Sequence, residues 1–344
     1  MAGDSNIAKN LDEVGTYIFV PVYNVAIDPK ILGKEFHGFD IISTVEFFNK
    51  YVPQFQKYGW LYSSLQLDWS LQHHLGVFEK YPVANFLIRT GAKLPHFIDQ
   101  VSSNRAEDII DSGLNCIENY IMTFRLYKAG HIQIERYYAI SSEMSTSGFF
   151  QSSTVKEYIV QIEESAYRKW NIYKITQDDV PQIVALGKKL NNVMDIVNLP
   201  MQYFMEYYNA KDNFDKILKL VTIWECTLLN DCSSELNYRL KVRGSKCLKQ
   251  NLSKFFQLAY GIRCDIVHTG EISNKIEKQL RAFLNADKAP NLSLLLLVFV
   301  RDYMEPITRK VLLYFVEKAS ETHQTLEQIA EAIDSEIFET FEQS

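Results

Sequence analysis

The feature that most constrains this chain is a change of hydrophobic period near residue 180. Beyond Ile175 the apolar residues recur at three- and four-residue spacing almost to the C-terminus, and strand-like alternation nearly vanishes. That spacing gathers apolar side chains on one side of a helix, which must then be covered by other helices. Helical patterns fall at about 181–210, 213–230, 234–249, 252–268, 273–286, 291–318 and 325–342. Asp178 or Asp179 is placed to cap the first, which begins near Pro181, and Pro306 is placed to bend the sixth.

The first half has mixed character. Tyr17 to Ile27 is rich in β-branched and aromatic residues and carries Pro21, which suits an edge strand. Phe86–Ile88, His131–Ile140 and Tyr158–Ile162 are further strand candidates, and Ser141–Ser153 reads as a loop. Asp108–Lys128 has helical spacing and stops at Ala129-Gly130. A length of 344 residues suits about two domains. The expectation is an α+β two-domain chain: a mixed α/β module over 1–180, a possible sensor or target-selection domain, then an all-α domain over 181–344.

The five cysteines are odd in number and include no C-x-x-C pair, so neither a disulfide framework nor a zinc site is expected. Met1–Asn10 lacks the apolar core of a signal peptide. The greasiest run, Leu292–Val300, is shorter than the roughly 20 residues of a membrane span. These points predict a cytoplasmic protein with no membrane partner.

The net charge is −6, but the charge is segregated. Between Leu236 and Cys264 stand Arg239, Lys241, Arg243, Lys246, Lys249, Lys254 and Arg263, with no Asp or Glu until Asp265. Such a cluster attracts phosphate backbones, and the first six are read as RNA-binding candidates; a solvated helix face is the plain alternative. After Lys318 the sequence carries seven acidic residues and no Lys or Arg, with Ile329, Ile333, Ile337 and Phe341 at helical spacing. This reads as an amphipathic helix whose acidic face aids solubility; a second reading has it shield the basic patch until a trigger arrives.

Chemistry concentrates in Asn251–Gly270, NLSKFFQLAYGIRCDIVHTG. Leu252, Phe255, Phe256, Ala259, Ile262 and Ile266 form a core-facing stripe, and Arg263 lies at its edge, where a cation needs an anion or a route to solvent. His268 follows five residues later. In a regular helix such positions point about 140° apart, so Arg reach or a loosened last turn is needed for both to meet one phosphate.

The surroundings resemble the Apea-like HEPN family. Ile217–Leu229 (ILKLVTIWECTLL) is similar to that family's buried helix with its single Glu, here Glu225. Ser234–Leu248 (SELNYRLKVRGSKCL) resembles its Ser-Glu-leu…Arg-leu…Arg helix, and Leu258–Gly270 (LAYGIRCDIVHTG) its leu-Tyr-x-x-Arg-Ser-x-ile-val-His-Gly signature. Ile121–Gly130 (IMTFRLYKAG) resembles an element that precedes the HEPN part in such chains. Two positions depart from the pattern: Cys264 follows the Arg where a polar residue is usual, and Thr269 separates His268 from Gly270.

The resemblance implies a HEPN-like helical bundle that forms a homodimer, with two Arg-x4-His motifs meeting in one cleft. It implies metal-independent RNA cleavage without a cofactor, in which the ribose 2′-OH attacks the neighbouring phosphate. His268 moves a proton and Arg263 holds the phosphate and steadies the transition-state charge. Family context adds anti-phage defence (abortive infection) or a toxin role, and a phage-derived trigger or inhibitory partner.

Glu225, a lone charge in an apolar helix, is expected to pair with Arg239 or Arg263, holding the bundle or orienting the catalytic Arg. Asp265 is a second candidate for orienting it. Cys264, four before His268 on the same helix face, reads as a semi-buried thiol rather than a nucleophile. His73-His74 lacks carboxylate or thiol partners at metal-ligand spacing, and Trp224 reads as core. The rival readings are a non-catalytic HEPN protein that binds nucleic acid or nucleotide or serves as a dimerisation scaffold, and a regulator whose α/β half binds a small ligand.

Overall fold

The computed structural model describes residues 16–23, 25–32, 35–36, 39–43, 85–90, 119–130, 132–134, 138–141, 173–230, 232, 234–286 and 291–342. The candidates at Tyr158–Ile162, Ser141–Ser153 beyond its first residue, and His73-His74 lie outside them. So does the part of the Asp108–Lys128 helix before residue 119. The chain divides into two compact units, Met1–Gly187 and Lys188–Ser344.

In the first unit β1 (Thr16–Tyr23) pairs antiparallel with β5 (Asn85–Thr90), which pairs in turn with β4 (Phe39–Ser43) and through it β3 (Glu35–Phe36). The expectation of an edge strand at Pro21 fails, because β1 is paired on both sides. β7 (Tyr138–Ser141) covers Thr16–Phe19 and β6 (Gln133–Ile134) covers Val22–Tyr23.

A second, two-stranded sheet pairs β2 (Val25–Ile27) with β8 (Tyr173–Ile175) in parallel. Helix α1, residues 119–127, packs against this region. Buried Arg125 donates from Nη2 to the Ile132 carbonyl at 2.9 Å, and Leu126 is fully buried. Gly130 has φ +148°, and a Cβ there would lie 2.9 Å from the Tyr173 Cα, so only glycine fits. Arg125, Leu126 and Gly130 of the Arg-Leu-x-Lys-x-Gly element therefore each have a packing or bonding task within this unit.

Helix α2 (Asp179–Asn209) opens on a cluster of bonds to its first residue. The Asp179 carboxylate accepts the Thr176 N–H at 2.7 Å, the Thr176 hydroxyl at 2.8 Å, Lys128 Nζ at 2.5 Å and, through Oδ1, the Tyr127 hydroxyl at 3.0 Å. The cap expected at Asp178 or Asp179 differs: Asp179 is the first helical residue, and its carboxylate reaches back to Thr176, three residues before it. Burial alone would raise its pKa, but these bonds outweigh it and hold the carboxyl down to about 2. Burial and the neighbouring carboxylate push the Tyr127 phenol up to about 12.

The second unit is helical. Its members are the end of α2, then α3 (Asn213–Thr227), α4 (Leu236–Cys247), α5 (Ser253–Thr269), α6 (Asn274–Leu284), α7 (Leu292–Phe299), α8 (Glu305–Thr322) and α9 (Leu326–Glu342). Asp212, Ser273 and Asn291 cap α3, α6 and α7, each accepting the backbone N–H three residues on. Just before Pro306, where a bend is expected, a π-helical turn, Val300–Met304, stands between α7 and α8. A proline removes one helical donor and crowds the preceding turn, and a widened turn accommodates both.

Trp224 of α3 sits fully buried edge-on to Phe255 and Phe256 of α5, with centroids 5.7 and 5.1 Å away. Gly244 lets α4 lie against α5: a Cβ there would come within 2.3 Å of the buried Phe256 ring. Buried Glu305 pairs with Arg309 and accepts the Tyr208 hydroxyl at 2.7 Å, tying α2 to α8. α9 is part of the bundle, with Ile329, Ala330 and Ile333 buried. No helix among the described residues is long and apolar enough to cross a membrane.

Candidate functional site

α5 carries the Arg-x4-His pair because its apolar stripe anchors it between α3, α4 and α6. Gly261 keeps α6 close, since a Cβ there would lie 2.8 Å from Ile276 Cδ1. The helix stays α-helical through Thr269 and ends at Gly270, whose φ of +73° supplies the left-handed residue after the last turn. Thr269 closes this end: its hydroxyl donates to the Asp265 carbonyl at 2.7 Å and accepts the Glu271 N–H at 3.2 Å. The displaced glycine thus gives α5 one more helical residue after His268.

Arg263 is half-buried. Its Nη2 lies 3.1 Å from Glu225 Oε1 on α3, with the two side chains 27% and 26% exposed. The guanidinium carbon also lies 5.8 Å from the Tyr260 ring centre, one turn earlier. Of the two partners open to Glu225, Arg263 is the one engaged. Tyr260 was not singled out for a role in the sequence, although its i, i+3 spacing from Arg263 was available. Burial raises the Tyr260 phenol pKa, Cys264 and Glu225 add to the rise, and Arg263 opposes it.

His268 is exposed in the last turn of α5. The last turn is not loosened, so within one chain His268 points about 140° around the helix from Arg263 and sits about 7.5 Å further along it. Exposed Val267 lies between them in sequence. Cys264 is half-buried. Asp265 does not pair with Arg263; its Oδ2 accepts the N–H of Ser273 at 2.8 Å, bracing the turn into α6. Its expected part in orienting Arg263 is replaced by this backbone bond.

The basic cluster divides. Arg243 is a correction: it is 1% exposed and faces the core, with Nε and Nη2 on the Asp334 carboxylate at 2.9 and 2.6 Å and Nη1 on the Leu228 carbonyl at 2.7 Å. It cannot reach RNA. Arg239 lies 3.6 Å from the same carboxylate. Positions 236, 240, 243, 244 and 247 make up one face of α4, and that spacing places Arg243 inward. The acidic helix α9 therefore answers the basic run through Asp334, as a built-in bundle contact. Lys241 and Lys246 are half-exposed, and Lys249 and Lys254 are exposed.

Among the described residues, no three His, Cys, Asp or Glu side chains are grouped to hold a metal ion, and the four described cysteines form no disulfide. Burial pushes the Cys247 thiol up to about 12 and raises that of Cys226, with Glu225 adding to the latter. In the comparisons with known proteins, no family model, curated protein or solved structure matches this chain.

Proposed function

We propose that the helical unit is a HEPN-like endoribonuclease that cuts RNA without a metal, by attack of a ribose 2′-OH on the adjacent phosphate. Arg263 binds the phosphate with its planar fork and stabilises the charge that grows on the pentavalent phosphorus. His268 takes the 2′-OH proton or returns one to the leaving 5′-oxygen, an assistance typically worth roughly 10²–10⁴-fold. Because the two side chains diverge around one helix, the working site is a composite in which a second copy of the chain completes the cleft.

The observation that carries this reading is the state of Arg263. It is held from behind by Glu225 and Tyr260 yet keeps part of its surface in solvent, on the same helix as an exposed His268. A purely structural Arg in this chain looks different: Arg243 is sealed and spends both edges of its fork on the protein. The test is incubation of the purified chain with single-stranded RNA in excess EDTA, beside Arg263→Ala and His268→Ala. Cutting by the wild type alone supports the enzyme.

The second reading is a non-catalytic nucleic-acid-binding or dimerisation scaffold. It is favoured by the Glu225 pair itself, which already satisfies one edge of the Arg263 guanidinium. RNA bound but left whole in the same assay selects it.

A further inference from the structure

We propose that the outer face of α4, from Tyr238 to the turn at Lys249, is a track for single-stranded RNA on which Tyr238 stacks an unpaired base. This rests on the ribonuclease reading and names the form of its substrate. Tyr238 is 62% exposed, more than any other large hydrophobic side chain among the described residues. An aromatic ring left mostly in water on a regular helix contributes little to its own fold. Lys241, Val242 and Ser245 share its face at three-, four- and seven-residue spacing, opposite the buried face of Leu240, Arg243, Gly244 and Cys247.

The charge on this face is unspent. Asp334 neutralises the inward Arg243 and approaches Arg239, but Lys241, Lys249 and Lys254 pair with no carboxylate among the described residues. Lys249 and Lys254 flank the turn that joins α4 to α5. Cations beside an exposed aromatic ring form the recognition pattern of unpaired strands, whose bases are free to splay and stack. A duplex keeps its bases stacked and would meet the lysines without using the ring.

Along the helix axes the track reaches the level of Arg263. Helices joined by so short a turn run antiparallel, and the approach of Gly244 to Phe256 sets their register. Counting from it, Tyr238 of α4 comes level with Ile262 and Arg263 of α5. A strand held by Lys249 and Lys254 at the turn therefore runs along α4 to the height of Arg263.

The test is binding of the intact chain to a labelled 2′-O-methyl 12-mer, single-stranded or in duplex, read by fluorescence anisotropy across a salt series. The single strand should bind more tightly than the duplex. Tyr238→Ala should weaken it about 5–100-fold, while Tyr238→Phe keeps wild-type affinity. Lys241→Ala with Lys249→Ala should flatten the slope of log affinity against log salt by about 1.4. Unchanged binding by Tyr238→Ala, equal affinity for duplex, or no binding by the wild type overturns the proposal. Since this oligonucleotide cannot be cut, the two readings fail separately. Tyr238-dependent binding by a chain that cleaves no RNA overturns only the nuclease. Cleavage with binding indifferent to Tyr238 overturns only the track.

Discussion

Glu225 holds Arg263 across two helices, with 3.1 Å between carboxylate and guanidinium, and neither side chain is sealed from water. A pair this exposed contributes at most about 1 kcal/mol to folding. Glu225→Gln should thus move the melting temperature by only about 2–4 °C. RNA cleavage should fall about tenfold or more, the effect of about 1.4 kcal/mol less transition-state stabilisation. A Glu225→Gln chain that melts lower yet cuts RNA at the wild-type rate makes the pair a bundle contact only.

Arg243 should behave in the opposite way. Arg243→Ala strands Asp334 and the Leu228 carbonyl and opens a cavity, a loss of about 3 kcal/mol or more. Lysine should rescue little, because it cannot span both carboxylate oxygens and the carbonyl. Denaturant melts measure the loss. RNA affinity, measured where the variant is still folded, should be unchanged.

Asp179 gives the first unit an acid limit. Its folded pKa of about 2 lies below its ordinary value, so its stabilisation is complete above pH 4 and disappears as pH falls through 2. The upper bound is roughly 2 kcal/mol. The Tyr127 phenol, raised to about 12, acts in the other direction: its contribution holds below pH 10 and fades as pH climbs to 12. Melts of wild type and Asp179→Asn should differ at pH 6 and converge near pH 2. A constant difference across that range would contradict the assignment.

The two helix-contact glycines separate by what they meet. Gly244→Ala drives a methyl into the fully buried Phe256 ring and should cost about 1–3 kcal/mol. Gly261→Ala meets only the tip of Ile276, which can rotate, and gains up to about 1 kcal/mol in helix propensity. It should be nearly neutral by thermal melt.

The helical half was legible because its period repeats over many turns, and the Gly270 stop was legible from residue type alone. The β2–β8 pair was not, because Tyr173–Ile175 is three residues long and its partner lies about 150 residues earlier. Pro21 suggested an edge since a proline cannot donate, but β1 has strand partners on both sides. Arg243 was misassigned because a run of like charges hid the helical phase, which places it among Leu240, Gly244 and Cys247. Glu225 narrowed to two partners in the sequence, and only the packing of α3 on α5 chose between them.

The most direct measurement is the chemistry of the cut ends. RNA incubated with wild-type chain in EDTA should yield 2′,3′-cyclic phosphate and 5′-hydroxyl termini, and a substrate with 2′-deoxyribose at the scissile position should stay whole. His268→Ala and Arg263→Ala should leave both RNAs intact. Cleavage of the deoxy substrate at the same position, or undiminished cutting by either variant, would contradict the account.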